Sequence, residues 1–143
     1  MTLALSITDL HKSFNENDVI KGMSLQANKG DVISLIGASG SGKSTFLRCI
    51  NLLETPNKGE VRVNGELMEM KTDSKGNRVA ADQKQVDRIR TKLGMVFQSF
   101  NLWSHMTILE NIMEAPVHVL GHSKTEAHAK AMQLLEKVGI ADK

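Results

Sequence analysis

The sequence has few of the features that mark secreted, metal-bound or nucleic-acid-binding proteins. It contains one cysteine, Cys49, which excludes an intrachain disulfide and a cysteine zinc cluster. It has no uninterrupted apolar run of membrane-spanning length, and its first residues lack the basic region of a signal peptide. The formal net charge is only +2, without a dense block of lysine and arginine among aromatic residues. We therefore expect a cytosolic protein without a nucleic-acid partner.

A glycine-rich run over Gly37–Thr45 is the strongest functional signal. Its letters, GASGSGKST, fill the pattern G-x-x-x-x-G-K-S/T of a phosphate-binding loop. The β-branched apolar stretch Val32–Ile36 precedes it and predicts a central strand, and helix-spaced apolar residues over Phe46–Leu53 follow it. Cys49 falls in that predicted helix as a small buried hydrophobe. The strand–loop–helix context predicts binding of a nucleoside triphosphate.

The residues of this loop have distinct physical tasks. Glycines Gly37, Gly40 and Gly42 permit backbone angles that turn amide N–H groups inward around an anion, and the new helix adds its positive end. We expect Lys43 to reach the β- and γ-phosphates as a point charge, and the Ser44 hydroxyl to help hold a bridging Mg²⁺ ion. The predicted phosphate-binding set also includes Ser39, Ser41 and Thr45.

The first part of the chain is predicted to be rich in β-structure. Strands are expected over Leu3–Leu10 and Val19–Leu25. Asn64-Gly65 is a strong hairpin signal and predicts paired strands over Glu60–Val63 and Glu66–Met70. The polar stretch that follows, Lys71–Ala81, is predicted to be an exposed loop or insertion.

The second part is predicted to be mainly helical, with one short strand candidate at Met95–Phe97. Helices are expected over Asp82–Thr91, Ile108–Glu114 and Ser123–Val138. The last two begin with capping-box patterns, Thr107 with Glu110 and Ser123 with Glu126, while Pro116 is expected to end or kink one helix and Gly139 to stop the other.

Three segments in this order resemble the ATP-binding subunits of ABC-type importers for polar amino acids. They are GASGSGKSTFLRCINLLE, MVFQSFNLWSHMT and ILENIMEAPVHVLG, and the histidine and basic amino-acid branch resembles them best. The resemblance runs from about Asp9 to the end of the chain. It implies an α/β fold, the P-loop NTPase core of an ABC ATPase with an antiparallel β subdomain, over residues 1–98. Residues 99–143 would hold the Q-loop and the start of the helical subdomain, incomplete at the C-terminus.

Carried over residue by residue, the resemblance implies further site residues. Phe14 takes the place of the aromatic residue that stacks on adenine, although a core phenylalanine at a strand end is the alternative. Gln98 takes the place of the Q-loop glutamine that reaches Mg²⁺ or the attacking water, with a solvated loop residue as the alternative. The segment after it would contact membrane subunits or else pack as core, through Phe100, Leu102, Trp103 and Met106.

The resemblance also implies a function, which is energy coupling by ATP hydrolysis in amino-acid import. The implied cofactors are ATP and Mg²⁺. The implied partners are a second ATPase subunit in a homodimer, membrane permease subunits and, indirectly, a periplasmic substrate-binding protein. The implied location is peripheral, on the cytoplasmic side of the inner membrane.

Three later motifs of that family are missing from these 143 residues: an LSGGQ-like signature, an apolar strand ending in Asp-Glu, and a switch histidine. The sequence therefore resembles an N-terminal portion, and we do not expect hydrolysis by this chain alone. Two alternatives stay open, another P-loop enzyme such as a small-molecule kinase, and a non-catalytic nucleotide-binding fragment.

Overall fold

The computed structural model describes residues 3–143, and the chain divides after Leu93 into two compact units. In the first unit, β1 (Leu3–Phe14) and β2 (Asn17–Asn28) form a long antiparallel hairpin. Strands β3 (Lys58–Val63) and β4 (Glu66–Leu67) extend it into a sheet of order β2-β1-β3-β4. This antiparallel sheet confirms the β-rich character predicted for the first part.

The Asn64-Gly65 hairpin is confirmed. The two residues have φ angles of 50° and 81°, as a type I′ turn requires, and Val63 pairs directly with Glu66. The strand expected over Glu66–Met70 is instead split, because β4 ends at Leu67.

β1 continues four residues beyond its predicted end. A bulge at Asp9 shifts the register of β1 against its neighbours, but the strand does not stop there. Asp9 has a φ of 47°, and the β1–β3 register shifts between Thr8 and His11. Gly59 on β3 accommodates the bulge, since a Cβ there would lie 2.5 Å from the Asp9 carbonyl oxygen. Beyond the bulge, pairing with β2 resumes up to Phe14.

Helices α1 (Lys43–Ile50) and α2 (Gln83–Arg90) bury their apolar faces in the first unit. Phe46 and Cys49 of α1 are almost completely buried. The cluster around them joins sheet and helix residues: Ile7, Leu10, Ile20, Val61, Val63, Met68 and Ile89. The prediction of Cys49 as a small buried hydrophobe is confirmed, and burial raises the pKa of its thiol to about 11.

The polar stretch after β4 is not only a loop, which corrects the prediction for Lys71–Ala81. Strands β5 (Met70–Thr72) and β6 (Arg78–Ala80) pair within it. The Asp73 carboxylate closes the turn, because one of its oxygens accepts from the backbone N–H groups of Lys75 and Asn77, each at 2.8 Å. These bonds lower the pKa of Asp73. An Asx turn therefore organises a segment whose polarity predicted only exposure.

Two predicted strands are absent as strands. Residues 32–36 and 95–97 belong to no ladder, and the side chains of Val32, Ile36 and Val96 are 95%, 94% and 98% exposed. Both segments have the composition of buried strands. Among residues 3–143, however, no strand pairs with either of them. A segment with the composition of a strand forms a strand only when a neighbouring strand is there to share backbone hydrogen bonds with it.

The second unit contains α3 (Ile108–His118) and α4 (Lys124–Lys137). Both predicted capping boxes are confirmed, with Thr107–Glu110 and Ser123–Glu126 bonded reciprocally at the helix starts. Gly139, at a φ of 75°, follows the end of α4 as predicted. Pro116 does not end α3, which runs two residues further. Within residues 3–143, no helix combines the length and apolarity needed to cross a membrane.

Candidate nucleotide-binding site

The predicted phosphate loop leads directly into α1 through Gly42, the N-cap residue. Gly42 has a left-handed φ of 90°. A Cβ at this position would lie 2.9 Å from Val19 Cγ1 and 3.0 Å from the Val19 carbonyl oxygen. Glycine is therefore required for two independent reasons, backbone conformation and the close approach of β2.

The loop curls around the ammonium group of Lys43. Nζ donates to the carbonyl oxygens of Gly37 and Ala38, each at 2.7 Å, and to Ser41 Oγ at 3.2 Å. At Gly37 a Cβ would meet Ser41 Oγ at 2.7 Å, so a larger residue would disturb this curl. The positive charge is consequently held by oxygen atoms that phosphate oxygens can replace.

The start of α1 supplies further donors. The first N–H groups of an α-helix have no intrahelical acceptor and carry the positive end of the helix dipole. Ser44 and Thr45 lie in this first turn, and Ser44 is exposed. Ser39 and Gly40 are exposed in the loop before it, with Gly40 at a φ of 79°. An exposed hydroxyl beside a helix N-terminus suits Mg²⁺, which prefers oxygen ligands and retains water.

A cavity of about 240 Å³ opens beside this loop. Its walls come from β2, from the segment before the loop and from the loop itself: Val19, Ile20, Lys21, Met23, Leu35, Ile36, Gly37, Ser41, Gly42 and Lys43. The loop residues and Lys43 thus face a space with one apolar wall and one polar, positively charged wall. This combination fits an anionic group attached to a less polar body.

Phe14 lies at the end of β1 and is 41% exposed, so it is not the core phenylalanine of the alternative interpretation. Phe14 pairs with Asn17 across the hairpin turn, and Val19 lies two residues after Asn17 on β2. The same hairpin end therefore presents an exposed ring and forms the wall next to Gly42.

Arg90 supports the far end of α1, a role that the sequence did not reveal. Its Nε donates to the Asn51 carbonyl oxygen and its Nη2 to the Leu52 carbonyl oxygen, each at 2.8 Å. These residues follow the last turn of α1, where a helix presents its negative end. A charged lysine or arginine near a helix pattern is usually a solvated residue, so spacing alone could not identify this contact.

The second unit holds Gln98 and the predicted partner-contact residues. Gln98 is exposed in irregular structure before α3. An apolar cavity of about 630 Å³ within this unit includes Phe100, Leu102 and Trp103 in its lining, while Met106 lines a separate one. The three residues of the larger cavity are each at least half exposed, which disfavours the alternative that they form a buried core.

Asn111 on α3 fixes the backbone of this segment and was not singled out from the sequence. Its Oδ1 accepts from the Trp103 N–H at 2.8 Å. Its Nδ2 donates to the carbonyl oxygens of Trp103, Met106 and Thr107, at 3.2, 3.2 and 2.9 Å. The only sequence signal is an asparagine inside a helix, where this residue is unfavourable without a local partner.

Curated proteins that are similar to this chain match it over nearly its whole length. The nopaline permease ATP-binding protein P of Agrobacterium fabrum is 58% identical over 135 residues, which cover 94% of this chain and 52% of that protein. The histidine/lysine/arginine/ornithine transport ATP-binding protein HisP of Escherichia coli is 58% identical over 139 residues, covering 97% of this chain and 54% of that protein. The chain thus spans about half the length of the curated relatives it matches.

A solved structure supports the fold. CbiO1 from Clostridium perfringens, described as part of the ABC transporter complex cbiONQ, aligns with a TM-score of 0.74 at 20% identity, covering 98% of this chain and 52% of that chain. The α/β class predicted from the sequence, that of the P-loop core of an ABC ATPase, is confirmed. Because residues 20–143 match the family described as ABC transporter, the chain belongs to the ABC transporter family.

Proposed function

We propose that this chain supplies the ATP-binding part of an energy-coupling subunit for the import of polar, basic amino acids. The observation that carries ATP binding is the loop curled around Lys43 at the start of α1, beside a cavity. The transport assignment is supported by the functions for which the 58% identical relatives are named. They include an arginine/ornithine transport ATP-binding protein of Pseudomonas aeruginosa, covering 96% of this chain and 54% of that protein.

The proposed binding mode uses groups of the loop and of α1. Lys43 Nζ exchanges the Gly37, Ala38 and Ser41 oxygens for β- and γ-phosphate oxygens. Amide N–H groups from the loop to the first turn of α1 surround the phosphates. Ser44 Oγ ligates Mg²⁺, which neutralises phosphate charge when bound.

The remaining roles follow the family resemblance and are proposed for the residues described above. Phe14 stacks on adenine, and Gln98 acts as the Q-loop glutamine. Phe100, Leu102, Trp103 and Met106 contact the membrane permease subunits. In this proposal a second ATPase subunit and a periplasmic binding protein complete the importer, and the chain resides peripherally on the cytoplasmic side of the inner membrane. Residues up to about 98 serve nucleotide binding, and residues from about 99 the Q-loop and helical subdomain.

ATP binding without turnover is the state proposed for this chain alone. The 143-residue sequence contains neither an LSGGQ-like stretch nor an apolar run ending in Asp-Glu. Without such groups, water is not oriented and the γ-phosphate charge is not fully stabilised.

Calorimetric titration with ATP, with and without Mg²⁺, tests the proposal. Lys43→Ala should weaken ATP binding roughly tenfold or more, because hydrogen bonds from a charged donor are lost. Lys71→Ala, at an exposed lysine of β5, is the matched control and should bind normally. A folded chain that does not bind ATP would refute the proposal. Transfer of phosphate to a small acceptor would favour the kinase alternative, and steady turnover would contradict the binding-only state.

A further inference from the structure

Lys12 on β1 is a charged side chain with an unusually fixed position. Its ammonium lies 4.6 Å from the centroid of the Phe14 ring. Nζ also donates to the Thr55 carbonyl oxygen at 2.9 Å and lies 3.4 Å from a Glu54 carboxylate oxygen. The side chain is only 13% exposed, although lysine is normally solvated. Oxygen atoms of two adjacent residues, Glu54 and Thr55, therefore hold the cation over the aromatic ring.

This arrangement distinguishes the two faces of the Phe14 ring. A cation within about 6 Å of a ring centroid is attracted to the ring face by the aromatic quadrupole. One face is accordingly covered by Lys12, while the 41% exposure of Phe14 leaves area for a second planar group. Because residues 54–55 hold Lys12 in place, the attraction between its ammonium and the Phe14 ring restrains the position of the ring.

The strand end that carries the ring is itself fixed. Ser13 Oγ donates to Asp18 Oδ1 at 2.6 Å, and the Ser13 N–H donates to Asn57 Oδ1 at 2.7 Å. Phe14 pairs with Asn17, and Val19, which approaches Gly42, lies two residues further along β2, roughly 7 Å at strand spacing. The ring and the phosphate loop are thus joined by one short, hydrogen-bonded length of hairpin.

We infer that Lys12 is a positioning residue for base recognition: it fixes Phe14 so that the ring face opposite the ammonium accepts a purine base. The cation also draws ring electron density toward itself, which makes the opposite face a better partner for an electron-rich base. This inference rests on the proposed ATP binding. Lys12 acts through Phe14 and makes no contact with the phosphates.

Two ligands separate the base from the phosphates in the test. ATP contains both, and inorganic tripolyphosphate contains only the phosphate chain. Both are titrated calorimetrically, with Mg²⁺, into the chain and its variants.

Lys12→Met keeps the length of the side chain and removes its charge, and it should weaken ATP binding about two- to fivefold while leaving tripolyphosphate binding unchanged. Lys12→Arg keeps a cation over the ring and should recover most of the ATP affinity. Lys71→Met is the matched control, expected to bind both ligands normally.

A double-mutant cycle provides a readout that a general loss of stability would not change. In a Phe14→Leu background, Lys12→Met should have no further effect on ATP affinity, because the ring through which it acts is gone. Unchanged ATP affinity in Lys12→Met, equal weakening of both ligands, or the same loss in the Phe14→Leu background would each overturn the inference. If the folded wild-type chain bound neither ligand, the proposed function would fail and this inference with it.

Discussion

Replacement of Gly42 by alanine tests the double requirement for glycine at the entry to α1. The residue has a φ of 90°, which an L side chain adopts at a cost of about 1–2 kcal/mol. Its new Cβ would also meet Val19 Cγ1 at 2.9 Å and the Val19 carbonyl oxygen at 3.0 Å. The backbone oxygen cannot rotate away as a side chain can, so β2 or the helix start must move.

The expected magnitude is the sum of these two effects. Overpacking of a closely packed site costs about 1–3 kcal/mol, so Gly42→Ala should lower the free energy of unfolding by roughly 2–5 kcal/mol. Gly40 and Gly30 provide matched controls, because both have left-handed φ angles, of 79° and 93°, and a Cβ at either position would have no neighbouring atom within 4 Å. Their alanine variants should lose only about 1–2 kcal/mol each.

Urea unfolding followed by far-ultraviolet circular dichroism measures these differences, provided that the denaturant slope m is the same in all variants. The order of stability should be wild type, then the two controls, then Gly42→Ala. If all three alanine variants were destabilised equally, the close approach of Val19 to Gly42 would contribute nothing and the reasoning would be refuted.

Two further predictions concern stability. Arg90→Met should destabilise the chain by about 1–3 kcal/mol, because the Asn51 and Leu52 carbonyl oxygens lose a charged donor. Urea unfolding measures the loss, with Arg48→Met, at an exposed arginine of α1, as the control that should change stability less; an Arg90→Met variant as stable as the wild type would contradict the prediction. Hydrogen bonds from Thr107 and Ser123 lower the pKa of Glu110 and Glu126, respectively, below the ordinary value of a glutamate. Their stabilisation is therefore complete above the unfolded-state pKa and is lost as pH falls through the lower folded-state pKa. Thermal unfolding from pH 7 to pH 2 should show this loss in the wild type and less of it in a Glu110→Gln, Glu126→Gln double variant; identical profiles would refute it.

Local signals in the sequence were sufficient where the interaction itself is local. The capping boxes and the Asn64-Gly65 turn each involve residues at most three positions apart, and all three are confirmed. The curl of the predicted phosphate loop is also local, since Lys43 contacts oxygen atoms no more than six residues away, while phosphate binding by these residues stays a prediction.

Features that depend on distant partners could not be predicted in this way. Residues 32–36 have strand composition but no ladder partner among residues 3–143. The Arg90 contact with Asn51 crosses 39 residues, and the Lys12 contact with Thr55 crosses 43. Neither contact leaves a periodic or motif-like trace, because each joins one side chain to a backbone oxygen whose position is set by the folded sheet and helices.

The hydrogen bonds of Lys43 limit how its contribution to nucleotide affinity should be understood. Its ammonium already donates to three oxygen atoms of the loop, so in the proposed binding mode phosphate oxygens would replace existing acceptors rather than meet an unpaired ammonium. The gain is then the difference between a phosphate oxygen and a carbonyl or hydroxyl oxygen, and charge makes the phosphate the stronger acceptor. The same bonds hold the loop curled, so Lys43→Ala would remove both the proposed phosphate contact and the restraint on Gly37 and Ala38. Lys43→Met would leave no donor for either role, whereas Lys43→Arg would keep the charge but force the curl to enlarge around a bulkier group. A charge-conserving change that still weakens ATP binding would therefore identify loop shape as the limiting factor.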